Sequence, residues 1–362
     1  MNISSPFARR GLAAGALLAT GALALSACGG TDDEASEDSD ASGHGSIAVQ
    51  QSWIKNEEFA GEFYATKYGY YEEAGFEAVD LIDGPDTGVA GLLSGQLDIA
   101  INDAIVTGAA IANEDAPLKI VGATFQKSPF TILSLADGGN IETISDLAGK
   151  KIGVQDSNAA LFQALLDANG IDESELEVVP VQFDPSPLTN GEVDGFFAYT
   201  TNEALTVELA GNEITNLTFA DNGMPFVVET FTVTDQYLAE NRDLVKDFLV
   251  AEIKGWAQVL DDPETAADLV VAEFGTDLDP EKTQAGMQAQ LELIVSDDTE
   301  ANGLFTVTDE LQQQTIDSLA TAGHDVAVED LFDISLLEEI YEENPELVDY
   351  VTLGSELAAD AE

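Results

Sequence analysis

Two aromatic side chains and a set of short polar ones stand where extended runs of this chain end. Trp53 closes the run SIAVQQSW, and Tyr199 closes EVDGFFAY. A Trp and a Tyr brought face to face can sandwich a flat heteroaromatic ring, because offset stacking adds roughly 0.5–1.5 kcal/mol beyond the area buried. Asn56 follows Trp53, Asn102 and Asp103 end LDIAIND, Asn202 and Glu203 follow Tyr199, and Glu229 lies inside FVVETFTV. Amides and carboxylates of this kind read a ring that offers N–H donors beside ring-nitrogen acceptors. A carboxylate also favours protonation of such a ring, and the resulting charge-assisted bond has about twice the strength of a neutral one. Glu203 and Glu229 are the candidates for that role, with Phe125, Gln126 and Ser157 as secondary contacts at further run ends. Each has a plainer reading as well: Trp53 and Tyr199 as core or rim aromatics, the polar residues as helix caps, turns or solvated surface.

Composition narrows the chemistry around these residues. The 362 residues include 69 Asp or Glu and 12 Lys or Arg, a formal charge of −57, which leaves no basic surface to displace phosphate counterions and excludes nucleic acid as a partner. With 45% apolar residues the chain nevertheless folds, and at this length into two domains. One Cys rules out a disulfide framework and Cys-based zinc sites, and two His leave little for a His-ligated metal or a His-based triad. No cofactor is implied, and no calcium loop of the D-x-D-x-D-G type occurs. Self-repulsion of this magnitude makes a monomer the default and fits a protein adapted to concentrated salt.

Residues 1–27 run from Arg9 and Arg10 into the uncharged stretch GLAAGALLATGALAL, the pattern of a secretory signal. Leu25-Ser26-Ala27-Cys28 resembles a bacterial lipobox, which implies lipidation of Cys28 after cleavage before it and an extracytoplasmic, membrane-anchored protein. Residues 28–46, almost all small or acidic, read as a flexible tether that includes His44.

The elements that must position the polar and aromatic residues follow from alternating periods. Apolar runs such as LDIAIND and LKIVGATF are spaced by helical stretches such as EFAGEFYATKYGYYEEAG, which predicts largely parallel sheets with helices on both faces. Ligands of such sheets bind beyond the carboxyl ends of the strands. A fresh pattern after the Gly138-Gly139 turn predicts a second lobe over residues 135–229, with residues 47–134 and 230–362 forming the first. A long helix follows, with Leu244, Val245, Phe248, Leu249, Ile253, Trp256 and Leu260 on one face, so Trp256 reads as core.

The segments WIKNEEFAGEFYATKYGYYEEAGFEA, LLSGQLDIAINDA, ETISDLAGKKIGV and VQFDPSPLTNGEVDGFFAYTTNEA resemble substrate-binding proteins of ABC importers in the thiamine-pyrimidine-precursor group. That group is similar to the binding proteins for alkanesulfonates, taurine, nitrate and riboflavin. The resemblance covers about residues 47–275. It implies an α/β, two-lobe periplasmic-binding-protein-like (type II) fold hinged by two crossing segments, with ligand held between the lobes. It also implies an ABC permease and its ATPase as partners and no enzymatic activity. One departure stands out: where the family often has Pro-Asn-x-x-His after the Trp, this chain has Lys55, Asn56 and Phe59. An anionic ligand would call on Arg, Lys or a helix N-terminus, and only Lys55 and Lys127 fall near the expected cleft loops, so a neutral or cationic heterocycle such as an aminopyrimidine is the expectation, with a flavin as alternative. Fungal pyrimidine synthases of similar fold are enzymes, but they use a Cys-rich motif and a His that have no counterpart among the cleft motifs here.

Overall fold

The computed structural model describes residues 43–84 and 86–351. The expected signal segment, Cys28 and most of the expected tether lie outside the described residues. The fold begins earlier than the composition of the tether suggests. Strand β1 (Gly45–Gln50) already includes residues assigned to the tether, and His44 is part of the folded body. Its ring lies 5.0 Å from that of Phe76 and its Nε2 meets Asp247 Oδ2 at 2.7 Å.

Among the described residues, ten strands form two five-stranded mixed sheets. The first has the order β2-β1-β3-β10-β4, with β2 spanning Phe76–Ile82, β3 Ile99–Asn102, β4 Leu118–Phe125 and β10 Val228–Thr234. In it β1 runs parallel to β2 and β3, and β10 runs antiparallel to β3 and β4. The second has the order β7-β6-β8-β5-β9, with β5 spanning Phe130–Leu135, β6 Lys151–Gln155, β7 Glu177–Val181, β8 Gly195–Tyr199 and β9 Ile214–Thr218. Here β6 is parallel to β7 and β8, while β5 is antiparallel to β8 and β9. Strands with both faces covered are apolar almost throughout: β3 is buried at all four positions, and even the edge strand β4 at all but Lys119.

The chain passes between the sheets twice, over residues 126–129 and 219–227. The first passage corrects the boundary expected at residue 135, because β5 belongs to the second sheet. The signal lay in Ser128-Pro129: proline cannot donate to a ladder, so the strand ending at Phe125 cannot run on into β5. The Gly138-Gly139 turn is instead internal to the second lobe, where a Cβ on Gly139 would come 2.0 Å from the carbonyl oxygen of Asp194. Lys127 on the first passage bonds Asp221 on the second at 3.0 Å, tying the crossings side by side.

The helices after β10 cover the first sheet. The Arg242–Asp261 helix buries the seven-residue face listed by its spacing, Trp256 included. It lies against the Ala60–Lys67 helix so closely that a Cβ on Gly255 would be 2.2 Å from the carbonyl oxygen of Gly61. The Pro280–Ile294 helix also returns to the first lobe: the Gln126 amide donates to the Leu293 carbonyl at 2.7 Å, and Gln290 Nε2 donates to the Glu57 carbonyl at 2.9 Å.

Candidate ligand-binding site

A cavity of about 210 Å³ lies where strand ends of both sheets meet. Ser52, Trp53 and Glu58 reach it from the loop after β1, Asp86 and Thr87 from beyond β2, and Asn102 and Asp103 from the end of β3. Gln155, Ser157 and Asn158 come from the end of β6, Phe183 from beyond β7, and Tyr199, Asn202 and Glu203 from the end of β8. Val106, Phe130, Phe197, Ala198 and Glu229 complete the wall.

Eight of the residues singled out in the sequence are therefore brought together: Trp53, Asn102, Asp103, Ser157, Tyr199, Asn202, Glu203 and Glu229. Three are not. Asn56 accepts from the Glu58 amide at 3.2 Å and caps the Glu57–Phe59 turn. Phe125 is fully buried in the core, and Gln126 donates its Nε2 to the Ala123 carbonyl at 2.9 Å. Strand alternation explains Phe125, since a residue at a strand end faces the cleft only if its side of the pleat does. Lys55 and Lys127, the cations nearest the expected cleft, do not line the cavity. His324 does not line it either and stands near Asn113 at 3.4 Å.

The aromatic pairing differs from the expected one. Trp53 meets Phe183, with ring centroids 4.8 Å apart and planes at 63°, so the ring opposite Trp53 across the cleft is Phe183. Tyr199 instead packs edge-on against Phe130 at 4.5 Å. Phe183 is 37% exposed, which is unusual for Phe and is explained by its place at the cleft mouth. It stands two residues beyond β7, so the strand-end rule could have found it in the Pro-rich segment.

Carboxyl groups are the main ionisable acids of a lining that also has hydroxyls and amides. Glu58, Asp86, Asp103, Glu203 and Glu229 all contribute, and among the described residues no Lys or Arg does. Burial pushes Glu229 up to about 8, opposed by its hydrogen bond from Ser52 and helped by the charges of Glu62 and Asp103. Glu58 is held well above the carboxylate range by burial and then by the neighbouring charges of Glu229 and Glu57. Asp103 rises to about 6 through burial, against backbone N–H bonds from Val106 and Ile105. Glu203 is raised by burial and steadied by the Tyr199 amide, which donates to its Oε2 at 2.9 Å. Of the described cations Lys282 lies close enough to lower the Glu203 pKa, but it does not line the cavity. Buried carboxyl groups with so little positive charge beside them lower their energy by keeping protons, so this wall is a set of hydrogen-bond donors and acceptors.

Two of these acids also occupy positions an anion would need. Asp103 accepts from the Val106 amide at 2.8 Å and so caps the helix Ala104–Glu114, and Glu203 holds the Tyr199 amide. Two amides that could otherwise help cradle a sulfonate, those of Val106 and Tyr199, are thereby satisfied from within. Asn102 is engaged in its own lobe: its Oδ1 accepts from Thr107, Thr230 and Thr232, and its Nδ2 donates to the Thr87 carbonyl.

Two α/β lobes of this topology, crossed twice and closed around a small-molecule cavity, make a type II periplasmic-binding-protein fold. Within that class the chain belongs to the NMT1/THI5-like family, whose sequence profile matches residues 56–266. It is 25% identical over 238 residues to the riboflavin-binding protein RibY of Chloroflexus aurantiacus, covering 62% of this chain and 65% of that protein, just under two thirds of the relative's length. Among solved structures it is similar to the periplasmic nitrate-binding protein NrtA of Synechocystis PCC 6803, with a TM-score of 0.62 and 12% identity over 84% of this chain and 90% of the other. It also matches the ligand-binding component of an ABC-type import system from Staphylococcus aureus, with a TM-score of 0.61 and 14% identity over 82% and 98% of the two chains. At these identities the structural likeness establishes the fold.

Proposed function

We propose that this chain is the extracytoplasmic solute-binding component of an ABC importer, and that its ligand is a flat heterocycle rich in N–H groups, of the aminopyrimidine class to which thiamine pyrimidine precursors belong. The observation that carries this reading is that, among the described residues, the cavity wall has five carboxyl groups and no Lys or Arg. An aminopyrimidine supplies the donors those groups lack and can take up a proton from them, turning neutral contacts into charge-assisted ones. Nitrate or a sulfonate would find no Lys or Arg among the described lining residues to balance its charge, and would hold the acids in their protonated form. Trp53 and Phe183, from opposite lobes, supply apolar faces for the ring. A lipid on Cys28 tethers the receptor to the membrane beside its permease, and ligand shifts the lobes towards the closed state by binding it more tightly than the open one.

A second reading, riboflavin, is favoured by the identity to a riboflavin-binding relative and by the aromatic lining of Trp53, Phe183 and Phe130. Among the described residues no His, Cys or Lys lines the cavity, so the thiolate and Schiff-base nucleophiles are not at hand there, which supports capture without turnover. Native mass spectrometry of protein purified without denaturation, followed by thermal-shift titration with an aminopyrimidine, riboflavin and taurine, tests the proposal. A stabilising shift with the aminopyrimidine supports it. A shift with taurine alone defeats it, and one with riboflavin alone installs the second reading.

A further inference from the structure

The Pro280–Ile294 helix is bonded to the first lobe through its second half and also packs against the second-lobe helix Glu203–Leu209. Gln290 and Leu293 hold it as described above, and at Gly286 it comes so near Glu57 that a Cβ would lie 2.0 Å from Oε1. Its first turn is pinned by Asp279, whose Oδ1 accepts from the Lys282 amide at 2.9 Å. From that fixed point Lys282 Nζ crosses to the second lobe and donates to Oδ1 of Asn202, a residue of the cavity wall.

The choice of partner is unusual for this chain. The other described cations that hydrogen-bond a neighbour take carboxylates, hydroxyls or backbone carbonyls, as Lys67 does with Glu273 and Lys119 with the Glu329 and Asp330 carbonyls. Lys282 takes a neutral side-chain amide while the carboxyls of Glu57 and Glu203 lie close enough to feel its charge. A lysine ammonium has three donors and keeps its full charge when it bonds an amide. It can therefore hold Asn202 in one orientation and still offset the acids beside the cavity.

We propose that Lys282 is a positioning residue: it orients Asn202 in the cavity wall and, by that bond, clasps the second lobe closed against the first. The proposal rests on the solute-binding reading for the purpose of closure, but the bond itself involves no ligand. A neutral amide suits a clasp that must release, since a charge-assisted bond to an amide is firm, whereas an Asp at position 202 would add a full ion pair.

The test is an interlobe distance measured by double electron–electron resonance on the full chain, without added ligand. Spin labels replace Glu77 on β2 and Asn190 in the second lobe, both exposed, with Cys28→Ser to keep labelling specific. Lys282→Gln should lengthen the mean distance by more than about 2 Å and broaden it, and Lys282→Arg should restore the parent distribution. An unchanged distribution in Lys282→Gln, or an Arg variant that behaves like the Gln one, overturns the clasp. If Lys282→Gln does not fold by circular dichroism, Asn202→Ala decides by the same distance: lengthening supports the clasp and no change refutes it. Because no heterocycle is present, failure of the clasp and failure of the aminopyrimidine reading are read separately.

Discussion

Ser52 Oγ stands within hydrogen-bonding distance of both carboxylate oxygens of Glu229, 3.0 Å from Oε1 and 2.8 Å from Oε2, and so joins the loop after β1 to β10 at the cavity wall. Glu229 is 2% exposed and has a φ of 51°, in the left-handed region that non-glycine residues avoid. Such a conformation costs on the order of 1–3 kcal/mol and persists where the surroundings over-determine it, a pattern that concentrates at ligand clamps. The flanking register of β10 is kept, with Val228 opposite Phe125 and Thr230 opposite Ala123.

Removing that bond has a directional consequence. Ser52→Ala leaves burial and the negative neighbours of Glu229 unopposed, so its titration moves further up from about 8. Binding of an aminopyrimidine at pH 7.5 should weaken, by less than the about 1.5–3 kcal/mol that a hydrogen bond to a charged group contributes, since Ser52 acts only through Glu229. Isothermal titration calorimetry against pH checks both effects, and an unaltered pH profile would show that Glu229 does not take part.

The buried acids also set how stability depends on pH. Glu57 is raised to about 7, and Glu229 and Glu252 to about 8, in each case chiefly by burial. The folded state thus holds protons that the unfolded state releases near 4.5, so stability is fully present below that value and is lost as pH rises through 7 to 8. The melting temperature of ligand-free protein should fall across this window. Glu252→Gln, which keeps a partner for the Tyr71 hydroxyl, should flatten the slope. A melting temperature that climbs from pH 5 to 8 would contradict the assignment.

Two helices of the first lobe depend on glycine for their approach. A Cβ on Gly61 would come 2.1 Å from Cδ1 of Trp256, besides the Gly255 contact already described. Helix propensity alone predicts that Gly→Ala stabilises by about 1 kcal/mol. Overpacking predicts the opposite sign, a loss of about 1–3 kcal/mol or more, and here it should win because the neighbours are an indole and a backbone carbonyl that cannot swing aside. Urea unfolding of Gly61→Ala and Gly255→Ala distinguishes the two.

Truncating the aromatic pair tests the faces of the site. Trp53→Ala should cost about 2 kcal/mol or more in binding if the indole anchors the ring. Phe183→Ala should weaken binding less, since its ring is partly exposed, and should act mainly on the dissociation rate as a cover at the cleft mouth. Stopped-flow displacement separates the two effects, and an unchanged affinity in Trp53→Ala removes it from the site.

How much of this was legible in the sequence depends on the residue. Alternating periods and strand ends were enough for two sheets, for the core face around Trp256 and for eight residues of the cavity wall. Asn56 was misread because an amide after a strand can cap a turn as readily as face a cleft, as its bond to the Glu58 amide shows. Glu58 went unnoticed for a compositional reason: among 69 acidic residues, nothing marks the few that fold inward. The Lys282–Asn202 bond joins positions 80 residues apart on different lobes, a relation no local pattern encodes.

The most direct test of the central claim is calorimetric titration of 4-amino-5-hydroxymethyl-2-methylpyrimidine into wild-type protein and Glu203→Gln, in two buffers of different ionisation enthalpy. The carboxyl-lined cavity predicts saturable binding to the wild type, a change in proton occupancy on binding, and a loss of affinity in the variant of about 1.5–3 kcal/mol. Absence of binding beside a clear isotherm for taurine or nitrate would contradict it.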